Sequence, residues 1–207
     1  MLVAELWRYP VKSLAGERLE SVDVREDGFP GDRAYRVVDG DGKQVTARTK
    51  PGLLALAGTD LEASRAALAD AVGPDARIEA ASPDRSADGG GHFFDESPLL
   101  VATDGAIAAL GYDGRRFRPN IVVTGVTGME ERSWDGRRLR IGGSGGVEID
   151  LGHLCERCVL TTFDPDTQEQ DPGVLRRVNT ELDGLFARNC WVAAPGRIAL
   201  GDPVELV

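Results

Sequence analysis

The sequence predicts an α+β protein that is mainly β: a barrel-like β core, a β-rich N-terminal segment and a few short helices. Three observations carry this. Gly occurs 26 times and Pro 11 times in 207 residues, which favours turns and short elements over long helices. Apolar residues alternate with period two in several short runs separated by turn residues, the pattern of a β-barrel or sandwich. Apolar spacing of the helical kind is confined to three short stretches. At 42% hydrophobic residues the chain has enough apolar side chain for a packed interior.

Taken in order, residues 3–9 alternate as a strand, and residues 19–24 and 33–38 read the same way. Asp39-Gly40-Asp41-Gly42 is a hairpin turn, and Pro51-Gly52 a second break. Thr59, with Glu62 three positions on, reads as a capping box. It opens a helix that carries Leu61, Ala66, Leu68 and Val72. Residues 82–91 are polar and Gly-rich, a connector. They divide the chain into regions 1–85 and 92–207, expected to share one core. Beyond it, residues 98–102 form an apolar strand and Thr103 caps a short helix with Ala106, Ile107 and Leu110. Residues 120–124 read as a buried strand. Trp134-Asp135-Gly136 turns into Leu139-Arg140-Ile141, and residues 142–146 make a glycine-rich hairpin tip. Residues 159–163 read as a strand. Asp171-Pro172 begins a helix with Val174, Leu175, Val178 and Leu182 on one face. Residues 191–193 and 203–206 close the chain as strands.

Charge narrows the function. Asp+Glu outnumber Lys+Arg by 34 to 24, for a net charge of −10. A general grip on nucleic acid needs a basic face and is not expected, although an acidic chain can still hold a basic pocket for a small anion. No apolar run reaches the length of a membrane span, and the first residues lack a signal-peptide pattern. Three cysteines are too few for a disulfide framework. The expectation is a cytoplasmic protein with reduced thiols. With only two histidines, His92 and His153, a zinc site built mainly from His is not expected.

Four segments carry candidate chemistry. Cys155-Glu156-Arg157-Cys158 offers two thiols three positions apart, with positive charge from Arg157 between them. Thiolates are nucleophiles and ligands for soft metals. The alternatives are two core cysteines without a role, a zinc site with His153 and Cys190, or a thioredoxin-like redox pair. That last needs a helix after the pair, and a strand is expected there. In Tyr9-Pro10-Val11-Lys12-Ser13, the Lys12 ammonium and Ser13 hydroxyl on a loop can hold a phosphate; otherwise Lys12 is a solvated surface residue. Gly28-Phe29-Pro30-Gly31-Asp32-Arg33 puts a planar guanidinium on a tight turn, or else an Asp32–Arg33 surface pair. In Arg116-Phe117-Arg118-Pro119-Asn120, the Asn120 amide at a strand start can read the edge of a heterocycle, or cap a strand between exposed arginines. Cys190 reads as a buried core thiol, His92 as a loop residue, and Asp164 and Asp166 as turn residues.

Together these segments resemble the MOSC family, named after the C-terminal domain of molybdenum cofactor sulfurase. The nearest likeness is to its branch of amidoxime-reducing components and other reductases of N-hydroxylated compounds. Further matching pieces are Thr46-Ala47-Arg48, Ser97-Pro98-Leu99-Leu100, Trp134-Asp135-Gly136, Thr161-Thr162, Asp164-Pro165-Asp166-Thr167 and Gly201-Asp202-Pro203-Val204. They run in family order along nearly the whole chain. The resemblance implies a MOSC-type β-barrel core and a molybdenum–molybdopterin cofactor. It assigns Cys158 as molybdenum ligand and catalytic residue, and makes Cys155 a neighbour. Lys12, Ser13, Arg33, Arg118, Asn120 and Arg157 fall where the family contacts the pterin and its phosphate. The chain departs from the pattern in three places. Leu154 stands where the family has Pro or a small residue, the hairpin at 142–146 is Gly-expanded, and the middle between Pro51 and Asp95 is short. The membrane anchor of the mitochondrial members is not expected.

The resemblance implies an oxidoreductase that reduces N-oxygenated small molecules, with electrons from a separate donor protein, since no flavin, haem or iron–sulfur motif is present. The alternative is a sulfur carrier or cofactor-binding module with a persulfide on Cys158 and no reductase activity.

Overall fold

The computed structural model of the chain describes residues 1–82 and 91–207. Most of the connector read at residues 82–91 therefore lies outside the described residues. The N-terminal part contributes β1 (Leu2–Arg8), β2 (Glu17–Leu19), β3 (Ser21–Val24), β4 (Tyr35–Val38), β5 (Gln44–Val45), α1 (Leu61–Ala71) and β6 (Arg77–Ala80). The remainder contributes β7 (Leu99–Thr103), α2 (Asp104–Leu110), β8 (Ile121–Thr124), β9 (Arg138–Ile141), β10 (Val147–Glu156), α3 (Pro172–Leu182), β11 (Leu185–Ala194), β12 (Gly196–Ala199) and β13 (Val204–Leu206).

The main sheet has eight strands in the order β13-β9-β10-β11-β7-β8-β1-β2 and does not close on itself. Two small sheets flank it, β12-β3 and β5-β4-β6. The predicted class, mainly β with few helices, is the observed one. All pairings in the main sheet are antiparallel except β7–β8. A parallel pair needs a crossover, and α2 supplies it. Its Thr103 N-cap accepts from the Ala106 amide, and Gly111, at φ 70°, ends it.

The alternation in β9 and β10 sends Leu139, Ile141, Val147, Ile149 and Leu151 into one core with Val3, Leu6, Val101 and Ile121. The other face of β7, through Leu100 and Ala102, packs on Ala106 and Leu110 of α2 and on Val174, Val178 and Leu182 of α3. Buried on both faces, β7 reads as an unbroken apolar run. A third cluster joins Val11, Leu14, Val37, Leu53 and Leu68 to Phe163 from the distal part of the chain.

Several expectations shift. Residues 159–163 are not a strand: Val159–Thr162 is a 3-10 turn. The hydroxyls of Thr161 and Thr162 donate back to the carbonyls of Cys158 (3.0 Å) and Val159 (2.7 Å). These local bonds outweigh the β preference of Val and Thr. The strand expected after the cysteine pair therefore no longer argues against a redox role. The cap of α1 is Asp60, whose carboxylate accepts from the Ala63 amide at 2.9 Å, one residue after the Thr59 expected there. Residues 19–24 break at Glu20, because β2 pairs with β1 while β3 pairs with β12. The strand read at 33–38 begins only at Tyr35, since Arg33 has a left-handed backbone (φ 47°). Among the described residues, no helix is long and apolar enough to cross a membrane.

Candidate functional site

A cavity of about 370 Å³ opens where the loop after β1, the turn before β4, the segment before β7, the turn before β8 and the end of β10 converge. Lys12, Ser13, Arg33, Arg118, Asn120, Arg157 and Cys158 all line it. The structure thus gathers the seven residues that the resemblance assigns to the cofactor, although they span about 146 positions of chain, from 12 to 158. Five cationic side chains, Lys12, Arg33, Arg48, Arg118 and Arg157, face three carboxylates, Asp95, Glu96 and Glu156. A chain of net charge −10 has concentrated positive charge here, where low-dielectric walls strengthen attraction for an anion.

Asp32 organises the cationic wall. It is 2% exposed, so of the two readings of this turn the surface pair is the one that fails. One carboxylate oxygen accepts from the Tyr9 amide at 2.7 Å and the other from the Arg33 guanidinium. Arg33 also donates to Asn120 Oδ1 (3.1 Å) and to the Arg118 carbonyl (3.2 Å). Burial works against the charge of Arg33, but the adjacent Asp32 outweighs it and holds the pKa above its ordinary value. Arg33 and Arg118 both lie over the Tyr9 ring, at 4.8 and 4.1 Å from its centroid. Burial pushes the Tyr9 phenol up to about 12 and Arg118 down to about 10, so both keep their protons at neutral pH.

Asn120 has little of its amide to offer. Its Oδ1 accepts from the Leu100 amide and Arg33, and its Nδ2 donates to the Trp7 carbonyl. These bonds tie β8 to β1 and aim Arg33. Ser13, Arg33 and Arg118 have positive φ, of 74°, 47° and 54°. Left-handed backbone at non-glycine residues is held only where the surroundings over-determine it, and it concentrates at working sites. Two guanidinium nitrogens of the wall, Arg118 Nη2 and Arg157 Nε, are buried without a hydrogen-bond partner among the described residues. An unpaired buried donor of a charged group is costly.

Lys12 is bonded to Asp95 at 2.7 Å, with Arg48 at 3.6 Å from the same carboxylate. On the sulfur side, Cys155 and Cys158 are half-buried and free. Arg157 donates to the Cys155 sulfur at 3.1 Å and to the Phe117 carbonyl at 2.8 Å. Cys190 is fully buried, and its thiol is pushed up to about 12 by burial, the behaviour of a core thiol. Asp164 and Asp166 sit in a turn, bonded to Arg116 and Arg115.

Sequence reasoning missed Asp32 as the organiser, Arg48, the rings of Phe93 and Phe94 that line the cavity, and Glu96 with Asn189. Thr46-Ala47-Arg48 and Ser97 did stand in matching segments, which was the available signal. Asn189 left none, because it lies inside an apolar strand.

Residues 1–110 match the model of the MOSC N-terminal beta barrel domain and residues 88–205 that of the MOSC domain, so the chain belongs to this family. Among characterised relatives, the human mitochondrial amidoxime reducing component 2 is 28% identical over 98% of this chain and 82% of its own length. Human mitochondrial amidoxime-reducing component 1 is 26% identical over 99% of this chain and 82% of its own. The crystal structure of the YUAD protein from Bacillus subtilis superposes with a TM-score of 0.55 at 15% identity, covering 99% of this chain and 94% of that one, a likeness of fold.

Replacing Asp32 by Asn is expected to loosen Arg33 and lower affinity for a phosphate-bearing ligand by about 10- to 100-fold, since a hydrogen bond to a charged group is worth about 1.5–3 kcal/mol. Calorimetric titration of the purified variant with inorganic pyrophosphate, against wild type, measures it. Unchanged affinity would show that Arg33 needs no such support.

Proposed function

We propose that this cavity holds a molybdenum–molybdopterin cofactor and that the loaded protein reduces N-oxygenated small molecules, drawing electrons from a separate donor protein. The observation that carries the reading is the meeting of a thiol, Cys158, with five cationic side chains in one cavity of an acidic chain. The residues fit the group. A dianionic phosphate requires Lys and Arg donors, which Lys12, Arg33, Arg48 and Arg118 offer, and Ser13 adds a hydroxyl. The orphaned nitrogens of Arg118 and Arg157 await acceptors. A thiolate from Cys158 suits a soft metal centre.

In this reading Cys158 is the metal ligand. Lys12, Ser13, Arg33, Arg118 and Arg157 hold the pterin and its phosphate, and Asn120 acts by orienting Arg33. Asp95 must release Lys12 for that amine to meet phosphate. When bound, the metal would supply the two-electron exchange between donor and substrate. The names of the human relatives, amidoxime reducing components, support an N–O substrate.

Metal and pterin analysis of protein freshly purified from a host that makes the cofactor is expected to find one molybdenum per chain. Metal-free protein from that host overturns the cofactor reading, and an added sulfur on Cys158 in its mass spectrum would point to the persulfide carrier instead.

A further inference from the structure

Beside the cavity stands a hydrogen-bonded carboxylate–imidazole pair that the cofactor reading leaves unused. Glu96 lines the cavity from the segment before β7. Its Oε1 lies 2.6 Å from His153 Nε2 on β10. Its Oε2 accepts from Asn189 Nδ2 on β11 at 2.8 Å. Asn189 is itself 3% exposed and fixed by Ser97, whose hydroxyl donates to its Oδ1 at 2.9 Å. The carboxylate is therefore held by two strands and has little freedom to swing. The imidazole is backed by the Trp191 ring, 6.1 Å away between centroids. Trp191 in turn lies over Gly152, where a Cβ would come within 2.3 Å of the indole.

The pair reaches from solvent to the cavity wall. The His153 side chain is 58% exposed and that of Glu96 is 49% exposed, yet Glu96 also faces the cavity interior. Either atom of the short Glu96–His153 contact can carry the shared proton. With the proton on Nε2, imidazole donates to carboxylate. With the proton on Glu96, the bare Nε2 faces Asn189 Nδ2, 3.3 Å away, as well. A pair that accommodates both placements can hand a proton on and take another from water.

No other carboxylate of the cavity has this arrangement. Asp95 is committed to Lys12 and Arg48. Glu156 makes no side-chain bond to a group that could reload it, among the described residues. The imidazole of His153 bonds only to Glu96 and Asn189, with Trp191 as its other neighbour, among the described residues.

We infer that Glu96 and His153 are a proton relay into the cavity. The inference rests on the reductase reading, which sets the demand: R–NH–OH + 2 e⁻ + 2 H⁺ → R–NH₂ + H₂O. The N–O bond breaks and the oxygen leaves as water. Two electrons arrive from the separate electron-carrier protein, and two protons must come from solvent. Glu96 delivers each proton on the cavity side and His153 reloads it. Glu96 is the group that meets the reacting atoms, and His153 acts through it.

The test uses the full chain loaded with cofactor and a chemical reductant in place of the donor protein, with benzamidoxime as the probe. Glu96→Gln and His153→Ala are expected to lower kcat about 100-fold, within the range of general acid catalysis. KM and molybdenum content should stay at wild-type values, the pH–rate profile should change shape, and added imidazole should partly restore His153→Ala. Wild-type kcat and pH profile in both variants overturn the relay alone. A loaded wild type that reduces nothing overturns the reductase reading, and the relay with it. NMR of the metal-free protein tests the pair directly. The His153 Nε2 proton should be detectable in wild type and lost to exchange in Glu96→Ala, and identical imidazole signals in the two would overturn the pair.

Discussion

Replacing Cys158 by Ala is expected to leave the fold intact while reductase activity drops by more than about 100-fold. Partners that only orient metal ligands cost about 10- to 100-fold when removed, and a direct ligand should cost more. The fold should survive because the bonds at this position are made by the main chain. The Cys158 carbonyl accepts from the Thr161 amide at 3.1 Å and the Thr161 hydroxyl at 3.0 Å, and both persist with Ala. The stability change should thus remain within about 0.5–1 kcal/mol, as for substitutions that disturb no core packing. Two controls sharpen the reading. Cys155→Ala should retain the metal, since its sulfur is engaged by Arg157. Cys190→Ala should cost stability and not metal, because that thiol is packed in the main core. Activity assays, metal analysis and thermal unfolding of the three variants measure this. Wild-type activity in the loaded Cys158→Ala protein would remove the ligand assignment.

Arg188→Ala is expected to destabilise the fold by about 3–5 kcal/mol, because the three carbonyls it satisfies lose their donor at about 1–3 kcal/mol each. Arg188 is 1% exposed and lies in β11 among apolar neighbours. Its guanidinium donates to the carbonyls of Glu131 (2.7 Å), Arg132 (2.8 Å) and Gly152, and to Asp135 at 2.7 Å. One side chain thereby clamps residues 131–135 to β10. The loss would consume much of the roughly 5–15 kcal/mol by which a domain is stable. Met, although of similar volume, should recover little of it, because each carbonyl left without a donor costs about 1–3 kcal/mol. Urea unfolding followed by tryptophan fluorescence gives the comparison. A Met variant within about 1 kcal/mol of wild type would show that packing, and not the bonds, holds this region.

Much of the fold was legible because short strands with period-two burial leave a local signature. Leu139 and Ile141 facing the core, and the Thr103 cap of α2, were readable from a few neighbouring residues. The strand misread at 159–163 had the β-branched composition of one. What overrode it was a pair of hydroxyl bonds that form only once the chain turns at Cys158. The buried Arg188 and Asn189 were invisible for a different reason: in sequence they interrupt an apolar strand, and only the partners brought to them from elsewhere make their burial tolerable.

The site divides along the same line. Lys12, Ser13, Arg33, Arg118, Asn120, Arg157 and Cys158 were candidates by residue type, each with a bland alternative, and it was the resemblance to MOSC proteins that assigned them together to a cofactor. Sequence alone also determined the acidic charge balance, the short-strand β character and the likeness to MOSC proteins. Only the tertiary structure decided that these residues face one cavity, that Asp32 is buried and aims Arg33, that Asn120 is spent on β1 and β8, and that Glu96 meets His153. Each of those is a contact between residues far apart in the chain, and the energy of such a contact depends on burial and on the third group nearby, quantities that exist only after the strands have paired.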